Sequence, residues 1–536
     1  MNLVGFGNNK LLFATLLLIA LMVTTSNIYF VFSNDVPQSW DPALHMYYSL
    51  IYFHLIKNFD MGNIVKVSNY YPPFFHLSST LLYFLFGFSE KVAILTNIIY
   101  YFVLVYSVFR IGEILKDRKV GIISSIVVSV FPVLIEFQRV YMIDFALTSL
   151  VALTIYFYLR SKDFRDTKYS LLFGISFGLT ELTKWIAFIY ILPAIFAIFL
   201  VNYSTRCPYC YEVVKNGLKH GIRRFCSKKH LRLYEKVENR TNQYLNVGLS
   251  IILTFFTAAW WYLPNLNVTL ARLTYFANIG GREGDPTFLT LQGWIYYANA
   301  LIDHIGLLFA LFFLISLFYF YKRDRLMGAM ILISVAIPYV ILTLLSNKDP
   351  RYIIPTLPFL AVSIGMFVGD LIESRSGKVL TSLILLFGVL NISAITFGQP
   401  ALDSKIFPDP KSPSKEDWKI NELLKTIENS GGEGKVVVVL PDHQYLNGQS
   451  LEFYRLKNGY RFAVYNGVYI GYTTFVRNFD KISYIVIIEP REHKGVYGEE
   501  EKSLYEFFYE HKSEFKNVAT FKLPDGTDLL LYKREQ

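Results

Sequence analysis

"LLFATLLLIALMVTTSNIYFVF", residues 11–32, carries no charged side chain and runs directly into "SNDVPQSWDPALHMYY", residues 33–48. Roughly 20 apolar residues are enough to cross the hydrocarbon core of a bilayer as a helix. The first stretch is therefore read as a membrane span, and the second as the loop it delivers to the far surface. Only Lys10 precedes the run, and no small-residue cleavage pattern appears before Asp35, so a retained anchor with a cytoplasmic N-terminus is expected.

The rest of the chain repeats this pattern. Of 536 residues, 53% are hydrophobic and only 18% are charged, which leaves too little polar surface to cover a soluble protein. Apolar runs recur near 92–115, 120–137, 143–160, 168–183, 185–201, 246–264, 301–321, 327–346, 353–372 and 378–397. Together with the first they make about eleven spans. The run 74–88 is shorter and is expected to lie along the membrane. Loops rich in Lys and Arg stay cytoplasmic, and strict alternation puts "KDRK" (116–119), "RSKDFRDTK" (160–168), the segment 202–245, "YKRDR" (321–325) and "ESRSGK" (373–378) on that side. Trp40, Trp185, Trp260, Trp261 and Trp294 then fall at outer ends of spans, where indole rings favour the interface. An integral plasma-membrane protein with Asp41 on the extracytoplasmic face follows. The net charge of +10 is spent on these loops, and no nucleic-acid partner is expected.

Three domains are expected: a membrane domain over 1–400, a cytoplasmic insertion at 202–245, and an extracytoplasmic α/β domain over 401–536. In the last, "KVVVVL" (435–440) and "ISYIVII" (482–488) read as buried strands, and "NVATFKLPDGTDLLLYKR" (517–534) as a hairpin turning at Asp525-Gly526. Helical patterns lie near 415–429, 448–457 and 500–514. "SGGEGKV" (430–436) is not a phosphate loop, because Asn429 stands where the leading Gly belongs and Val436 where Ser or Thr belongs.

The insertion holds all three cysteines. Cys207 and Cys210 form a Cys-x2-Cys knuckle, and Cys226 with His230 a Cys-x3-His knuckle, spaced to present four ligands tetrahedrally. Structural zinc is expected there, with His220 as an alternative fourth ligand. A disulfide is disfavoured in a reducing compartment.

Ionisable residues at span ends are the functional candidates, because burying them in a membrane is costly. The outer side gathers Asp41, His45, Tyr70, Tyr71, His76, Glu136, Arg139, Tyr141, Asp144, Glu181, Lys184, Asp303, His304, Lys348, Asp349, Arg351 and Tyr352. Each taken alone reads equally as a solvated charge, a cap or an ion pair. For Asp41 the competing reading is the N-cap of a helix opening at Pro42.

Taken in order, an Asp after an aromatic in the first outer loop, "NYYPPFFHL" and "LFGF" (69–88), "EFQRVYMID" (136–144), "LTELTKW" (179–185) and "NKDPRYIIP" (347–355) resemble the C-type (GT-C) glycosyltransferases. Within that group the series is most similar to the protein O-mannosyltransferases and the aminoarabinose transferase of lipid A. The resemblance covers roughly residues 10–400 and implies a polyprenyl-phosphate sugar donor, transfer to an extracytoplasmic protein, lipid or glycan acceptor, and inversion. It implies Asp41 as general base and Asp144 as the acid that orients it or binds acceptor. Arg351, Tyr352, Arg139, Lys184 and Tyr71 would hold the donor phosphate, with His45 and His76 as accessory groups. Pro42 departs from the pattern, which often has a second acid there. The need for a catalytic divalent metal is left open, and the competing readings are a transporter or an inactive assembly protein.

Overall fold

A computed structural model describes residues 4–206, 238–400, 409–494 and 497–535. Cys207, Cys210, Cys226 and His230 lie outside the described residues. The membrane portion is helical throughout: α1 (Val4–Ser33), α2 (Trp40–Lys57), α3 (Phe74–Phe86), α4 (Glu90–Leu115), α5 (Arg118–Ser129), α6 (Pro132–Phe137), α7 (Ile143–Ser161), α8 (Thr167–Glu181), α9 (Phe188–Thr205), α10 (Glu238–Glu283), α11 (Leu291–Ile305), α12 (Leu307–Arg323), α13 (Arg325–Leu344), α14 (Leu357–Leu371) and α15 (Arg375–Phe397).

Among the described residues seven helical segments are long and apolar enough to cross a bilayer, and eight if the bent pair α11–α12 counts as one. Every predicted run is helical, but several are interrupted. The run 120–137 breaks ahead of Pro132, whose ring removes a backbone donor and disfavours helix at the residue before it. The run 301–321 breaks at Gly306 (φ +79°), and the axis turns by 114° there. α3 has 13 residues, about 20 Å of helix, and falls short of a span of roughly 30 Å.

Exposed apolar side chains ring the bundle, among them Leu21, Ile251, Phe256 and Leu314. Lipid can solvate such a surface where water would not. Inside, α7 and α14 are almost wholly enclosed by other helices. Small residues let helices approach closely, as membrane bundles require: a Cβ on Gly365 of α14 would fall 2.1 Å from Ser124 Oγ of α5.

The C-terminal domain is a five-stranded sheet of order β2-β1-β3-β5-β4. β1 (Val436–Val439), β2 (Ala463–Asn466) and β3 (Tyr484–Glu489) are parallel, and β4 (Phe515–Lys522) and β5 (Asp528–Arg534) complete it antiparallel. α16 (Ile420–Asn429) and α17 (Gly448–Lys457) cover one face and α18 (Gly498–Glu510) the other. Alternation along the strand divides the side chains between them, Val437 and Val439 to the first face, Val438 and Leu440 to the second. The predicted strands and hairpin are present. β2 was not foreseen, being a four-residue strand only partly buried along its length.

This domain sits on one end of the bundle. Trp40 Nε1 donates to Asp442 Oδ1 at 2.9 Å, Tyr454 Oη to Glu90 Oε2 at 2.7 Å, Lys415 pairs with Asp35 at 2.8 Å, and Lys411 with Glu136 at 2.5 Å. α17 packs along α2. The basic loops after α4, α7, α12 and α14 lie at the other end.

Candidate active site

The end that carries the C-terminal domain also collects the charged candidates, because α2, α7 and the segment 345–356 all begin or end there. α2 opens one turn's fraction earlier than expected: Ser39 is its N-cap, without a side-chain cap bond, and Trp40 its first residue. Asp41 is therefore not the cap. Its Oδ2 instead accepts from Arg351 Nη1 at 3.2 Å, across 310 residues of chain.

Arg351 is held from its other side by Asp349, whose Oδ2 accepts from Nε at 2.7 Å and whose Oδ1 accepts from the Arg351 backbone N–H at 2.8 Å. Burial raises the Asp349 carboxyl, but the adjacent guanidinium overrides this and holds it below the ordinary carboxylate value. One planar fork thus bridges two carboxylates, a geometry arginine can supply and lysine cannot.

The segment carrying Arg351 is fixed by its neighbours. Lys348 N–H donates to Asp285 Oδ2 at 2.7 Å, and its ammonium donates to the carbonyls of Thr343 and Leu345 at the end of α13. Tyr190 Oη donates to the Tyr352 carbonyl at 2.6 Å, and His304 Nε2 lies 2.8 Å from the Pro350 carbonyl. Gly280 permits the closest approach, since a Cβ there would meet the Ser346 carbonyl oxygen at 2.1 Å.

Beneath lies a buried pair. Lys184 Nζ donates to Asp144 Oδ1 at 2.7 Å and stands 4.7 Å from the centre of the Tyr352 ring, a cation–π contact. Asp144 is fully buried, its Oδ2 without a partner among the described residues. It is the counter-ion of Lys184 here. It makes no bond to Asp41, the contact expected if it oriented the base.

His45 shares a face of α2 with Asp41 but turns inward, its Nδ1 2.9 Å from His76 Nε2. Both rings are fully buried, walled by Tyr71 and Tyr52 at ring distances of 4.5 and 5.9 Å. Tyr71 in turn meets Tyr70 edge-on at 4.7 Å. Arg139 stands apart. Its Nε goes to Asn27 Oδ1, and its two terminal nitrogens go to the Ile395 carbonyl and Thr396 Oγ1, so it ties α1 to α15. Three of its five N–H donors are spent on structure in this arrangement. Among the described residues no group of three or more His, Cys, Asp or Glu is placed to hold a metal ion.

Three further groups around the site were not foreseen. Arg272 of α10 is exposed and close enough to Tyr48 and Tyr70 to act on both electrostatically. Asp442 and Tyr469 reach the same place from the C-terminal domain. Arg272 lies beyond the apolar run 246–264, on a helix that continues well past it, and nothing in local composition marks it. The other two depend on how a separate domain docks.

Comparison with known proteins agrees with this architecture. Residues 71–214 match the family model described as dolichyl-phosphate-mannose-protein mannosyltransferase. No curated protein sequence matches the chain. Among solved structures, ArnT from Cupriavidus metallidurans bound to undecaprenyl phosphate superposes with a TM-score of 0.56 at 12% identity, covering 98% of both chains. The oligosaccharyltransferase AglB from Archaeoglobus fulgidus, in complex with an inhibitory peptide and a dolichol-phosphate, gives a TM-score of 0.56 at 14% identity over 99% of this chain and 75% of its own. The soluble domain is included in both alignments, so the likeness extends past residue 400, where the sequence pattern ended. The chain therefore has the GT-C fold.

Proposed function

We propose that this protein is an integral-membrane glycosyltransferase that takes a sugar from a polyprenyl-phosphate donor and passes it to an acceptor hydroxyl at the end of the bundle bearing the C-terminal domain. The observation that carries the reading is the Arg351 bridge between Asp41 and Asp349, set in a GT-C fold at the membrane surface. A carboxylate within reach of a guanidinium provides a proton acceptor and a phosphate-holding cation in one place.

In the reaction, Asp41 takes the proton of the acceptor hydroxyl as its oxygen attacks the sugar's anomeric carbon from the face opposite the phosphate. The bond from that carbon to the phosphate oxygen breaks, and its electron pair leaves with the polyprenyl phosphate. A single displacement of this kind inverts the anomeric centre. Arg351 stabilises the leaving phosphate, with Tyr352, Tyr71, Lys184 and the rim residue Arg272 contributing positive charge or hydroxyl donors around it. The incoming phosphate competes with Asp41 for Arg351, which frees the carboxylate to act as base, while Asp349 keeps the fork in plane. Asp144 holds the Lys184 side chain in place.

The basic loops at the opposite end support an extracytoplasmic site, since Lys and Arg are retained on the cytoplasmic side. Lys119 and Lys116 pair there with Glu373 and Asp370. Asp41→Asn preserves shape and should abolish transfer from a radiolabelled polyprenyl-phosphate sugar while leaving folding intact. Full transfer by that variant would remove Asp41 from the reaction.

A further inference from the structure

In open α/β sheets, ligands bind beyond the carboxyl ends of the parallel strands, where the chain reverses the direction in which it adds strands. Here β1 lies between β2 and β3, which were added on opposite sides of it, so that reversal lies beside β1. The residues just past these ends are Asp442 after β1, Tyr469 after β2 and Arg491 after β3, with Gln449 in the first turn of α17. The same edge is turned toward the membrane site. Asp442 Oδ1 is bonded to the indole of Trp40, next to Asp41, and Tyr469 lies near enough to Asp41 to feel its charge.

These groups share one chemistry. Tyr469 is 47% exposed and reaches Gln449 with its hydroxyl. Gln449 Oε1 is buried with no partner among the described residues. Arg491 spends Nε and one Nη2 hydrogen on Glu501 and keeps further N–H groups, so donors and acceptors stand beside an exposed aromatic face. Hydroxyl groups of a sugar both donate and accept and so satisfy such a mixed set, and the C–H face of its ring stacks on a phenol.

The geometry points to this strand edge as the acceptor subsite, recognising a saccharide through Asp442, Gln449 and Tyr469 and presenting its hydroxyl to Asp41. It rests on the transferase reading, and its test is chosen to fail separately. Full-length protein in detergent is titrated with a panel of methyl hexosides and pentosides, with a short Ser/Thr peptide, and with undecaprenyl phosphate. Binding is followed by saturation-transfer NMR for the first two and by tryptophan fluorescence for the lipid. At least one methyl glycoside should bind, with its Kd weakened about fivefold or more by Tyr469→Ala and by Gln449→Ala, the size of one lost hydrogen bond or stacking contact. Tyr469→Phe keeps the ring and should retain most of the affinity. Both alanine variants should bind undecaprenyl phosphate as the parent does. Absence of glycoside binding, glycoside binding indifferent to Tyr469, or peptide binding that depends on Tyr469 would each overturn the saccharide subsite. Failure of the parent to bind the lipid phosphate would instead count against the donor reading.

Discussion

Asp144→Asn isolates the charge pair under the site. Lys184 Nζ and Asp144 Oδ1 are 2.7 Å apart, with side chains 10% and 1% exposed. At an effective dielectric constant of about 20 their attraction is about 6 kcal/mol, and at that depth stripping water from each ion costs several kcal/mol. The intact pair is thus close to break-even, whereas removing one member leaves the other buried without its counter-charge. Each of Asp144→Asn and Lys184→Met should destabilise by about 3–5 kcal/mol. The double variant should lose less than either single one, a coupling of at least about 3 kcal/mol. Urea unfolding of the detergent-solubilised protein measures all four corners of the cycle. Losses that simply add would refute the counter-ion role and return Asp144 to the list of groups acting on substrate.

Gly280→Ala should loosen the segment that carries Arg351, because its Cβ would strike the Ser346 carbonyl; a loss of about 1–3 kcal/mol in unfolding, with reduced transfer, is expected. Burial holds His443 down at about 4, so the unfolded chain takes up a proton first. The stability its neutral form confers should fall as pH drops from about 6.5 toward 4. Trp418, whose ring lies 4.8 Å from His443, reports this by fluorescence, and His443→Gln should flatten the pH dependence. Metal analysis of the purified chain should find zinc, lost on replacing Cys207 and Cys210 together by Ser; zinc-free parent protein would end that expectation. At the domain contact, Lys415 and Lys91 hold the half-exposed Asp35 carboxyl below its usual value. Its contribution is present above about pH 4 and lost as pH falls through the lowered value, and Asp35→Asn should remove that acid sensitivity from urea unfolding.

Much of this protein was legible in one dimension. Hydrophobic length fixes membrane residence, since no soluble core could hide so many apolar runs, and every run is helical because lipid offers no partner to an unpaired backbone group. The spacing of Asp41, Lys184 and Arg351 at span ends also marked them, as charge is tolerated there and costly elsewhere. What the sequence could not give is which of these charges meet. Arg139 and Arg351 look alike on the line, both following an acidic residue near an aromatic. Packing spends Arg139 on α1 and α15 and leaves Arg351 facing Asp41. The competing reading of Asp41 as a helix cap falls because the backbone places Ser39 in that role.

The length and composition of the sequence by themselves determined the solvent, the helices and the α/β character of the last 130 or so residues, because these follow from local periodicity and burial. Tertiary structure alone decided the site. Its members are separated by up to 310 residues, and two of its neighbours, Asp442 and Tyr469, belong to a domain whose docking depends on surface pairs such as Trp40 with Asp442. Contacts between distant segments are set by how helices and sheet pack together, and a reading of local pattern has no access to that.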